Sequence, residues 1–116
     1  MSRDTADVWH GTLDLMILKT LDAMGSLHGY SIARRIEQIS EGQLSINQGT
    51  IYPALLKLRH RGWITTKCGE SSTGRRVKFY AITPRGQRQL HDAESDWQRA
   101  TGIVSRFSCF QTFFAP

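Results

Sequence analysis

Two period-two segments joined by a polar, glycine-bounded connector constrain this chain more than any other feature. Residues 63–68 (WITTKC) alternate with Ile64, Thr66 and Cys68 on one face. Residues 76–82 (RVKFYAI) alternate with Val77, Phe79 and Ala81 on one face. The connector, Gly69-Glu70-Ser71-Ser72-Thr73-Gly74-Arg75, predicts an antiparallel hairpin with a long, flexible tip. The long segments on either side have helical spacing, so the expected class is mainly α with a small β-hairpin.

Residues 11–24 set Leu13, Met16, Ile17, Leu21 and Met24 on one stripe, with Leu15 and Leu18 adding apolar surface on other faces. So broad an apolar girth predicts cover on two sides, by the domain core and by a partner helix. After Gly25-Ser26, a second helix over Gly29 to Ser40 turns Ile32, Ala33, Ile36 and Ile39 inward and Ser31, Arg34, Arg35 and Gln38 outward. His28 reads as a helix-start or turn residue. Leu44-Ser45-Ile46 alternates briefly and predicts one short strand. Asn47 is a good N-cap for a third helix, whose inward stripe is Ile51, Ala54, Leu55 and Leu58. That helix ends near Arg61-Gly62, with cations in its last turn and glycine after it. Pro53 removes the bond to the Gly49 carbonyl and predicts a bent or loosened first turn. Thr83 and Pro84, as cap and first position, open a fourth helix that reaches about Phe107.

On this last helix Leu90, Ala93, Trp97, Ala100, Val104 and Phe107 follow 3, 4, 3, 4, 3 spacing, a heptad seam. The flanking Glu94, Asp96, Thr101 and Ile103 do not form complementary charge pairs, so the helix is not a self-sufficient coiled coil. The expectation is a dimer interface built from this seam with Leu15 and Leu18; the alternative is a monomeric helix covering its own core. The order helix, helix, strand, helix, hairpin, helix describes a winged helix-turn-helix. The expected organisation is an N-terminal extension (1–10), the winged domain (11–83), a dimerisation helix (84–107) and a tail (108–116). The tail, SCFQTFFAP, has three phenylalanines and no charge, and nothing in the sequence explains why.

The net charge is +5, and it is unevenly placed. Between Arg34 and Arg88 there are eleven cations against three acids. A basic middle between acidic flanks points to a local anionic target. Double-stranded DNA fits the geometry: one helix suits the major groove, the preceding helix crosses the backbone, and a cationic hairpin reaches a neighbouring groove or its phosphates. Candidate contacts are Arg34 on the second helix, Asn47, Gln48, Gly49, Thr50, Tyr52 and Lys57 on the third, and Arg75, Arg76 and Lys78 in the wing. Two residues carry a second reading, Asn47 as a cap alone and Tyr52 as an edge of the core. The competing function is a winged-helix protein–protein module that does not touch DNA; such modules usually lack a cationic wing.

Cys68 and Cys109 form no CxxC or Cys/His cluster, so no metal site or cofactor is expected. The four histidines are scattered, with no nucleophile–base or paired-carboxylate spacing, which argues against an enzyme. There is no signal-peptide run and no membrane-length apolar stretch, so the expected location is the cytoplasm.

The stretches GTLDLMILKTL, LHGYSIARRIE, LSINQGTIYPALLKLRHRGWI and GRRVKFYAITPRGQRQL resemble the N-terminal domain of the PadR-type (phenolic acid decarboxylase repressor) family. The most specific pieces are Gly49-Thr50-Ile51-Tyr52-Pro53-Ala54-Leu55 and Arg61-Gly62-Trp63-Ile64. The resemblance covers about residues 11–90, and the heptad helix extends it to about 107. It implies a homodimeric DNA-binding regulator, usually a repressor, acting on a pseudo-palindromic operator. It also implies that Gln48, Thr50 and Tyr52 lie in the recognition helix and Arg75 to Lys78 in the wing. The chain looks like the short type, with one C-terminal helix. Some short members bind planar aromatic compounds near the dimer centre against a tryptophan of the last helix. Trp97 sits in a comparable helix, so the resemblance marks it for a small aromatic effector, with a packed seam tryptophan as the other reading. The tail departs from the family pattern.

Overall fold

The computed structural model describes the backbone of residues 5–114 and the side chains of residues 12–107. In chain order the elements are α1 (Thr5–Met24), β1 (Leu27–His28), α2 (Gly29–Ile39), α3 (Gln48–His60), β2 (Ile64–Glu70), β3 (Arg76–Ile82) and α4 (Pro84–Phe114). The strands form one antiparallel sheet in the order β1-β3-β2. The core gathers Ile17, Leu18 and Leu21 of α1, Ile32 and Ile36 of α2, Ile51, Leu55 and Leu58 of α3, Ile64, Tyr80 and Leu90. Helix α1 meets α2, α3, α4 and β3. This architecture is a winged helix with a long C-terminal helix, as the order of segments predicted.

The ends of α3 follow the capping rules. Gly62 follows it with φ +77°, and Trp63 N–H donates to the Leu58 carbonyl at 3.1 Å. The helix runs unbroken across Pro53. Its missing N–H costs one bond, to the Gly49 carbonyl, where Gln48, Gly49 and Thr50 are exposed.

Several expectations change. Leu44-Ser45-Ile46 is not a strand; Leu44 and Ile46 pack against the core from an irregular segment. The third strand is instead Leu27–His28, with Leu27 opposite Tyr80 and His28 opposite Phe79. The hairpin tip is short and closed, because β2 runs two residues further than expected, to Glu70, while β3 keeps the expected bounds. Only residues 71–75 remain between them, pinned by Ser71 N–H to the Arg75 carbonyl at 2.8 Å. Ile39 and Met24, expected inward, are 69% and 45% exposed. Leu18, expected at an interface, is only 2% exposed within this chain. Part of the surplus apolar girth of α1, Leu18 included, is covered within the chain, while Leu15, Met16 and Met24 line an apolar groove. Helix α4 continues to Phe114, since no glycine or proline interrupts residues 103–114. The side chains of the aromatic tail lie outside the described residues.

The turn from β3 into α4 is tightly fastened. Thr83 Oγ1 donates to the Gly62 carbonyl at 2.7 Å and accepts from Gly86 N–H at 3.0 Å, acting as the predicted cap. Gly86 packs so closely that a β-carbon there would lie 2.0 Å from the Trp63 carbonyl oxygen. Overpacking of this kind cannot relax by moving one flexible side chain. Gly86→Ala is expected to lower unfolding free energy by about 2–3 kcal/mol in urea denaturation. A loss well under about 1 kcal/mol would mean the junction is looser than the geometry shows.

Candidate nucleic-acid interface

The first turn of α3 is held by Asn47, whose Oδ1 accepts from Thr50 N–H at 3.0 Å. Asn47 therefore caps the helix, in agreement with the structural reading of that residue. Gln48 opens the helix and points, with Tyr52, towards β3. The Tyr52 ring lies over Gly29, where a β-carbon would come within 2.7 Å of Cε1. Glycine at this point lets α3 bring a large ring against the start of α2. Tyr52 is 41% exposed, so it sits at an edge of the core.

Strand pairing determines where the wing cations go. Ile64 pairs with Ile82, Thr66 with Tyr80, Cys68 with Lys78 and Glu70 with Arg76. Side chains alternate across a strand, so Arg76, Lys78, Tyr80 and Ile82 share one face. Tyr80 is buried there, and burial raises its phenol above the ordinary value. Tyr52 pushes the same way and Arg59 opposes. Further out along the same face, Lys78 and Arg76 pass the edge of the core and stand in front of α3. The opposite face carries Phe79, which covers Gly69 and lies 5.9 Å from the His28 ring.

The result is a groove of about 710 Å³ that Gln48 and Tyr52 share with Arg75, Arg76 and Lys78. Sequence reasoning missed Tyr30, which lines it too and is 59% exposed. His28, Ser71, Ser72 and Thr73 also line the groove. His28 is also the cap of α2, accepting from Ser31 N–H at 3.1 Å. The signal for Tyr30 and His28 was the two-residue strand, too short to have a period, whereas Ser71 to Thr73 belong to the connector the sequence had marked. A smaller depression between α2 and α3 joins Arg34 to Asn47, Gln48 and Tyr52, with the Arg34 guanidinium 6.0 Å from the Tyr30 ring centre.

Three predicted residues lie elsewhere. Gly49, Thr50 and Lys57 face a separate hollow shared with Asp14 of α1. Lys57 Nζ sits 2.8 Å from Asp14 Oδ2. On α4, Leu90 is buried in the chain's own core and Ala93 is half-buried. Trp97, Val104 and Phe107 are 56%, 64% and 69% exposed, and Ala100 is exposed. Trp97 lines an apolar groove of about 580 Å³ with Leu15, Met16, Met24 and Ile39, and Lys19 pairs with Glu94 at its rim.

A three-helix core, a paired hairpin against the third helix and cations along that hairpin define a winged helix-turn-helix transcriptional regulator. The model of the transcriptional regulator PadR-like family matches residues 17–92. The chain belongs to that family, which consists of transcriptional regulators rather than enzymes. A transcriptional regulator from Clostridium thermocellum shares the fold at TM-score 0.76 and 29% identity, over 87% of this chain and 97% of that one. A PadR-like regulator from Bacillus cereus does so at TM-score 0.74 and 25% identity, over 87% and 95%. Among curated relatives, the Escherichia coli transcriptional regulator YqjI is 35% identical over 83 residues, 72% of this chain and 38% of its own length. The Bacillus subtilis negative transcriptional regulator PadR is 34% identical over 68 residues, 59% of this chain and 37% of its own length. The chain thus spans little more than a third of these two, whereas it matches 93% of an uncharacterised Lysinibacillus sphaericus protein at 26% identity. Among the described residues, no helix is long and apolar enough to cross a membrane.

The cap is the most economical test of how α3 is held. Asn47→Ala should cost about 1 kcal/mol in thermal or urea unfolding, and Asn47→Asp should keep the native value. Equal losses for both variants would remove the Asn47 side chain from this role.

Proposed function

We propose that this chain controls transcription by binding duplex DNA as a homodimer, as a repressor at a pseudo-palindromic operator in the cytoplasm. The observation that carries the reading is the shared groove: Gln48 and Tyr52 of α3 and Arg75, Arg76 and Lys78 of the wing address one surface. Gln48 and Thr50 are suited to base edges, with Gly49 allowing close approach of the backbone. Backbone N–H groups at the start of α3 favour a phosphate, and Arg34 and the wing cations suit further phosphates. Repression is supported by the relative that is a negative transcriptional regulator. The dimer is supported by the exposed seam of Trp97, Ala100, Val104 and Phe107, which has helical spacing and is left open by the described residues. A small planar aromatic effector in the groove beside Trp97 would act where α1 and the seam meet.

Salt-dependent binding to genomic duplex fragments tests the DNA reading. Arg75→Ala with Arg76→Ala should flatten the log–log salt dependence by about 0.9 for each phosphate that is no longer neutralised. An unchanged slope and affinity would remove the wing from the interface. Binding by neither protein at low salt would favour a protein–protein module. Separately, Val104→Glu with Phe107→Glu should convert a dimer to a monomer in analytical ultracentrifugation, with the circular dichroism spectrum of the folded domain retained.

A further inference from the structure

The Asp14–Lys57 pair lies off the wing groove, on the flank of α3 that faces α1. Its two charges are unequally placed. The Asp14 side chain is 13% exposed and that of Lys57 39%. Asp14 Oδ1 is buried and has no hydrogen-bond partner among the described residues, so the carboxylate depends on Lys57 at its other oxygen. Moving the ammonium away would leave a buried charge without compensation, the costly half of breaking such a pair. A phosphate at the surface offers Lys57 an attraction weakened by water and salt. The pair should therefore hold when the helix meets DNA.

We infer that Asp14 is a specificity-determining residue: it keeps Lys57 from adding sequence-independent phosphate affinity to the recognition helix. The inference rests on the DNA-binding reading above. Lys57 is on the same side of α3 as Gly49 and Thr50, two turns further along, so its long side chain would reach outward from the helix flank if released. Each free cation on such a flank raises binding to every duplex alike. Masking it leaves discrimination to the groups of the wing groove and the first turn of α3.

The test is the salt dependence of binding to a duplex of random sequence, for the native chain, Asp14→Asn, Lys57→Gln and the double variant. Asp14→Asn should steepen the slope by about 0.9 per bound protomer and tighten binding at low salt. Lys57→Gln and the double variant should keep the native slope. The double variant removes both charges together, so it remains informative if Lys57→Gln alone unfolds by stranding Asp14. A slope reduced by about 0.9 per protomer in Lys57→Gln or in the double variant would show Lys57 already on a phosphate and overturn the inference. An unchanged slope in folded Asp14→Asn would overturn it as well, since a released Lys57 would then reach no phosphate. If the native chain binds no duplex at any salt, the DNA reading itself falls, and this inference with it.

Discussion

A two-residue antiparallel contact, Leu27 against Tyr80 and His28 against Phe79, determines where the positive charge of this protein ends up. A two-stranded hairpin alone is marginal in water and free to splay. Pairing with β1 ties the middle of β3 to the start of α2 and puts Tyr80 into the core. The strand alternation then does the rest. The face that buries Tyr80 becomes, two residues and four residues further out, the face of Lys78 and Arg76. Gly29, directly after β1, receives the Tyr52 ring. One short strand thus sets the wing, α2 and α3 in mutual register.

That strand is also what the sequence conceals. Periodicity needs several repeats, and Leu27–His28 has one. Longer signals were legible. The ends of α3 were marked by Asn47 and Gly62, the start of α4 by Thr83 and Pro84, and both wing strands by their alternation. Ile39 and Met24 show a different limit. Apolar spacing tells which face a residue shares and not what lies opposite, so both were assigned to the core yet border the groove beside Trp97. Lys57 was legible as an outward cation, but its partner is on another helix 43 positions earlier, and no local pattern links the two.

The two helices that looked over-supplied with apolar residues resolve differently. Helix α1 packs against α2, α3, α4 and β3, so Leu18 that was surplus in sequence is ordinary core, while Leu15 and Met24 stay along the groove beside Trp97. Helix α4 is enclosed only at its beginning, where Leu90 reaches the core. From Trp97 onwards the seam, joined by Ile103 at 48% exposure, is left open to water. Scattered exposed apolar residues need no explanation, but a row of them at heptad spacing beside an apolar groove has the character of an association surface.

Charge follows the same division. Among the described residues, the ion pairs are Lys19–Glu94, Lys57–Asp14 and Arg99–Asp96, all on α1, α3 or α4 and none in the wing. Arg99 and Asp96 are 71% and 74% exposed, so that pair contributes only tenths of a kcal/mol, about 0.3–0.5 by the usual range for helix pairs. The wing cations Arg75, Arg76 and Lys78 form no ion pair among the described residues, although Glu70 stands opposite Arg76 in the sheet register. A fold selected only for stability would gain from pairing them, or at least from spacing them apart. Keeping three like charges close together and unpaired raises the potential over the groove that Gln48 and Tyr52 share. That potential is useful to a polyanion and costs the free protein a little repulsion. Lys57, the cation of α3 that has an acidic partner, faces a hollow separate from that groove, so its neutralisation leaves the potential of the wing untouched.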